Sequence, residues 1–147
     1  MSQTSTPFGS PLRLVLGLLL AAGMVFAGVS HFVVPQLFIP MVPPMLPSPR
    51  GLVYLSGVAE IVLGLGVLHP ASRRLACFGL IALYIAVFPA NLHMALAGLP
   101  FGDRPTPTWA LWARLPLQAV FIAWAYYVGG GARVSDRPTG SHLERAR

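Results

Sequence analysis

The chain has 147 residues, 55% of them hydrophobic and 10% charged, with a mean hydropathy of +0.69. That leaves too little polar surface to clothe a soluble domain of this size and places the chain in the membrane class. The net charge of +6 comes from ten arginines and no lysine; they are scattered through loops and tail, which argues for membrane topology and against a nucleic-acid partner.

Residues 1–13 are polar and lack apolar periodicity, as expected of a cytoplasmic N-terminal segment. The first apolar stretch, Leu14–Val34, has the ~20 residues that cross a bilayer as a helix. Arg13 before it and the small residues of "VFAG" resemble a signal peptide cleaved after Ala27. The apolar run continues to Val34, beyond a usual signal core, so a retained helix is expected. His31 lies near its outer end.

The segment "PQLFIPMVPPMLPSPR" follows, where Pro35, Pro40, Pro43, Pro44, Pro47 and Pro49 remove backbone donors and forbid a continuous helix. It reads as a stiff external loop on the membrane surface. The second apolar stretch, Gly51–Leu68, carries Glu60 about ten residues in, roughly 15 Å deep at the helical rise. Ser56, Gly57 and Gly64 share its face, so another helix is expected to approach there and Glu60 to face the bundle. "GLG" at Gly64–Gly66 lies inside this apolar helix, with no preceding strand and no third glycine, and is not a dinucleotide fingerprint.

The third stretch, Leu75–Ala97, places Asn91 and His93 near its outer end, with Pro89 expected to free the Ile85 carbonyl. Cys77, the only cysteine, excludes an internal disulfide and a multi-thiolate metal site and reads as packing. The fourth stretch, Trp109–Val128, is expected to start after a Thr106 N-cap with Pro107 as its first residue. It puts Arg114 roughly 10 Å below its start and Gln118 one turn deeper, with Pro116 between them. Residues 129–147 are glycine-rich or polar and read as a flexible cytoplasmic tail.

Four crossings put Arg13, Arg73, Arg74, Arg133, Arg137, Arg145 and Arg147 on one side and Arg50, Arg104 and Arg114 on the other. Seven against three points to both termini in the cytoplasm. Trp109 and Trp112 then mark the outer interface, and Trp124, Tyr126 and Tyr127 the inner one. The fold class expected is all-α: a four-helix transmembrane bundle over residues 14–128 with a proline-rich external loop between helices one and two.

His31, Glu60, Asn91, His93, Arg114 and Gln118 all fall in the outer half and form the candidate polar cluster. Each has a structural reading as well: interfacial hydrogen bonding for the histidines, interhelical glue for Asn91 and Gln118, and snorkelling to headgroups for Arg114. Glu60 stands apart, because an intramembrane carboxylate is costly enough to demand a function or a specific partner. Arg114, whose guanidinium can grip a carboxylate bidentately, is the expected partner, alone or with the histidines.

The stretches "HF" before the proline-rich loop, "LSGVAEI" and "VFPANLHMA", together with Arg114-Leu-Pro-Leu-Gln118, resemble the DoxX-like small bacterial membrane proteins. The resemblance spans nearly everything from Leu14 to Val128 and implies a four-helix integral membrane bundle associated with redox systems, including quinone-linked ones. No flavin, haem or iron–sulfur motif is present in the sequence, so no resident cofactor is read and quinone is the candidate ligand. Three functions are compatible with the residues: a redox-complex subunit binding a quinone or another small apolar molecule in the outer-half cluster, a non-enzymatic scaffold for a partner complex, and a small-solute or proton transporter. The last would need a homo-oligomer, since four helices are few for that task.

Overall fold

The structure, a computed structural model, describes residues 10–102 and 105–130. The calls on residues 1–9 and 131–147, and on Arg104, lie outside them. The described residues are all-helical, with four long helices: α1 (Pro11–Val33), α2 (Pro49–Leu68), α3 (Arg73–Ala97) and α4 (Thr108–Val128). Three of these, α1, α2 and α3, are long and apolar enough to cross a membrane. α4 has 21 residues, but Arg114, Pro116 and Gln118 interrupt its apolar run.

Local chemistry explains the ends. Ser10 caps α1 by accepting from the Arg13 amide at 3.2 Å, and Pro11 takes the first helical position, where no donor is needed. The helix runs unbroken through Ala27 and Gly28 and stops before Pro35. The proline-rich segment then makes two 3-10 turns, Pro35–Leu37 and Ile39–Met41. α3 ends on Gly98, whose φ of 62° is the left-handed conformation that glycine adopts freely, with the Gly98 and Leu99 amides folding back onto the Met94 carbonyl. α4 begins one residue later than expected: Pro107 is its N-cap, and the Thr106 hydroxyl instead accepts from the Phe101 amide at 2.8 Å, pinning the preceding loop.

The helices pack in chain order as a ring. α1 lies against α2, α2 against α3 and α3 against α4, while α4 returns to α1 over a smaller contact. Trp124 secures that return by donating to the Leu16 carbonyl at 3.2 Å. The larger core cluster, around Leu20, Met24, Val67, Cys77, Leu80 and Val128, fills the half nearer the chain ends; Met94, Ala95 and Leu111 form a smaller one in the other half.

The α1–α2 seam follows a seven-residue rhythm. Gly17, Leu20, Ala21, Met24, Gly28 and His31 are the buried residues of α1, and Val53, Gly57, Gly64 and Val67 those of α2. Glu60 occupies the missing place in the second stripe, three residues after Gly57 and four before Gly64, which is why it faces α1. The glycines permit the approach: a Cβ at Gly28 would lie 2.6 Å from the Gly57 carbonyl oxygen, and one at Gly57 would lie 2.9 Å from that of Gly28. Backbone touches backbone here, as small-residue helix pairs allow.

Candidate functional site

Glu60 and His31 meet across this seam. His31 Nδ1 lies 3.4 Å from Glu60 Oε2, and both side chains are nearly buried. The same nitrogen donates to the Ala27 carbonyl one turn back, at 2.8 Å. Since a carbonyl can only accept, Nδ1 carries the hydrogen, and in the neutral ring Nε2 is the free acceptor. The contact with Glu60 is therefore a close approach without a hydrogen bond of its own. Glu60 Oε2 is buried with no hydrogen-bond partner among the described residues. Such an oxygen is unusual in a settled core, and it can accept a hydrogen bond from a guest or hold a proton itself.

The imidazole of His31 is held from its other side by an aromatic ladder that crosses the molecule. It stacks on Phe38, with centroids 4.0 Å apart and planes at 19°. Phe38 meets Phe101 edge-on at 5.8 Å, and the guanidinium of Arg114 lies over the Phe101 ring at 4.8 Å. Phe38 comes from the proline-rich segment and Phe101 from the α3–α4 loop, so two loops and two helices are joined by face and edge contacts of the kind aromatic rings favour.

Arg114 is not the partner of Glu60 in this arrangement. Its Nη1 donates to Met94 Sδ at 3.3 Å, and no ion pair joins it to Glu60 among the described residues. The ring order of the helices is the reason: α2 contacts α1 and α3 but not α4, so lying in the same half of the bundle does not bring the two side chains together.

The remaining candidates form separate groups. Asn91 donates to Gln118 Oε1 at 3.1 Å, and the Gln118 amide nitrogen donates to the Tyr84 carbonyl, one residue before the Ile85 carbonyl that Pro89 was expected to free. His93 Nδ1 donates to the Met41 carbonyl at 3.2 Å and ties α3 to the proline-rich segment. The structure thus brings His31 and Glu60 together and Asn91 and Gln118 together, and links Arg114 to His31 only through two phenylalanines.

Phe38, Phe101 and Tyr84, whose hydroxyl donates to Met24 Sδ at 3.0 Å, were not singled out from the sequence. The signal for Phe38 was faint: an aromatic between Pro35 and Pro40 is held by a stiff backbone and presents its ring in a fixed place. Gln118 is the hinge of its own group, so Gln118→Leu should destabilise the fold by about 1–3 kcal/mol through the loss of partners for Asn91 and Tyr84. Asn91→Leu should be milder, because the Gln118–Tyr84 bond survives. Thermal unfolding of the two variants in detergent checks this order.

No groups of histidine, cysteine, aspartate or glutamate suited to holding a metal occur among the described residues. No curated protein and no solved structure matches the chain. The model of a family described as a domain of unknown function (DUF8561) matches residues 20–129, from the middle of α1 to just past the end of α4. That span includes the acid–histidine pair, all three contacts of the ladder and the Asn91–Gln118 pair, and the chain belongs to the DUF8561 family.

Proposed function

We propose that this is a DoxX-like, redox-associated subunit of the bacterial inner membrane that takes a quinone-like or other small apolar molecule into its outer half, with Glu60 and His31 facing the polar head of the guest. One observation carries the reading: Glu60 Oε2 is buried beside an imidazole and lacks a hydrogen-bond partner. A hydroxyl or carbonyl head offers what that pair lacks, since the carboxyl group and the free imidazole nitrogen can pass a proton to or from it. In this reading α4 is a fourth crossing, its Arg114 and Gln118 turned toward the other helices, and the proline-rich segment caps the outer side.

Titration of the detergent-extracted protein with short-chain ubiquinone, followed by tryptophan fluorescence, tests it. Saturable quenching that weakens at least about tenfold in Glu60→Gln is expected, a loss of ~1.4 kcal/mol in binding. Absence of saturable quenching in the parent protein would sink the quinone reading.

A second reading, a non-enzymatic scaffold for a partner complex, is favoured by the internal satisfaction of Asn91, Gln118 and His93. Those residues lock helices and loop together and leave little to offer a substrate. A stoichiometric partner that co-purifies without bound small molecules, seen by native mass spectrometry, selects it.

The membrane orientation has its own check. Reporter fusions after residue 147 should report the cytoplasm, and fusions at residue 42 the outside. An external C-terminal signal would reverse the orientation or remove α4 as a crossing.

A further inference from the structure

Arg114 is the seventh residue of α4, roughly 9 Å along the axis from Thr108. Its guanidinium is turned into the bundle, since Nη1 reaches the sulfur of Met94, a residue that is fully buried. A side chain snorkelling to the headgroups would point away from that sulfur. Its contacts are soft ones: a thioether, which is a weak acceptor, and the face of Phe101 at 4.8 Å. Neither carries a negative charge. The only carboxylate among the described residues, Glu60, lies against His31.

A guanidinium has five N–H donors, and the Met94 sulfur accepts from one nitrogen. Arg114 is half-buried, and its other nitrogens are not among the sealed polar atoms, so they are not shut off from an incoming group. The charge is held in place, oriented by two neighbours, and left with donors to spare.

We infer that Arg114 is the receptor for a phosphate oxyanion entering beside Phe101 between α3 and α4. The matching of a planar donor fork to two phosphate oxygens makes this the favoured chemistry. Two exposed tryptophans indicate where the phosphate comes from. Trp109 and Trp112 lie in the first turns of α4, and Trp112 is only about 3 Å along the axis from Arg114. Exposed tryptophans settle at the level of lipid headgroups, where phosphodiesters are the abundant oxyanions. Arg114 lies at the level of these tryptophans but on the opposite side of α4, so a headgroup would reach the fork from between α3 and α4. This site is independent of the quinone reading, and its test uses no quinone.

The full chain in dodecyl maltoside would be titrated with dioleoyl-phosphatidylglycerol, with dioleoylglycerol, which has the same tails and no phosphate, and with inorganic phosphate, reading the unfolding temperature from tryptophan fluorescence. The phospholipid should raise that temperature by several degrees in the parent protein. The diglyceride should not. Arg114→Gln should need at least tenfold more phospholipid for half the effect. Arg114→Lys, which keeps the charge and loses the fork, should fall between and covers the case in which the glutamine variant does not fold. Arg50→Gln, at an exposed arginine outside the site, should behave as the parent. An Arg114-dependent shift with inorganic phosphate alone would support the receptor and assign it a free anion. An equal response to the diglyceride, no response in the parent, or unchanged half-saturation in both Arg114 variants would overturn the site.

Discussion

Gly57→Leu should destabilise the folded bundle by about 3 kcal/mol or more, while Gly23→Leu in the neighbouring helix should change it by no more than about 1 kcal/mol. The new Cβ at Gly57 would lie 2.9 Å from three atoms: the Gly28 carbonyl oxygen, His31 Cβ and Phe32 Cε2. The first is backbone and cannot rotate aside, so α1 and α2 must separate, and the His31–Glu60 contact opens with them. Gly23 faces nothing within 4 Å and serves as the control for a glycine-to-leucine change in an apolar helix. Thermal unfolding of both variants in detergent gives the comparison. Equal stabilities would mean that the seam is not packed as described.

A cycle between Glu60 and His31 should show strong coupling. Glu60→Met or His31→Phe alone leaves the other polar group buried opposite an apolar side chain, which costs about 1–3 kcal/mol. The double change, which keeps an aromatic ring for Phe38 to stack on, should be close to neutral. Glu60→Met combined with Arg114→Met should instead be additive, because the two residues share no contact. Additivity between Glu60 and His31, measured from unfolding midpoints, would mean that their 3.4 Å approach has no energetic content.

The helices were legible because the need to satisfy backbone groups in lipid makes apolar length a strong signal, and prolines and glycines punctuate it. Three of the four expected stretches lie wholly within helices of the structure and the first overruns α1 by one residue, Val34, while Glu60 was correctly turned toward another helix by the small residues around it. The partner of Glu60 was not legible. Counting residues from a helix end gives depth along the helix, and on that scale Arg114, roughly 9 Å in, comes nearer to Glu60 than His31 does at the end of α1. Pairing depends on which helices are neighbours around the ring, and nothing in the pattern of apolar stretches encodes that order. The ladder was hidden for a related reason: Phe38 and Phe101 sit in loops, where no periodicity indicates the direction of a side chain. Thr106 misled through a correct local rule, because a hydroxyl before a helix can cap the helix or brace the loop, and here it braces the loop.

The ladder also divides the molecule. Its rungs from His31 to Phe38 belong to the α1–α2 hairpin, those from Phe101 to Arg114 to the α3–α4 hairpin, and the edge-on contact of the two phenylalanines is the single rung that joins them. Each hairpin also has its own internal fastening, backbone contact at Gly28 and Gly57 in the first and the Asn91–Gln118 amides in the second. Each hairpin therefore has short-range contacts on which to close by itself, and the two then meet through the α2–α3 packing, the Tyr84–Met24 and His93–Met41 bonds and the return of α4 to α1. A chain cut within residues 69–72, the turn between α2 and α3, and expressed as two polypeptides should still reassemble.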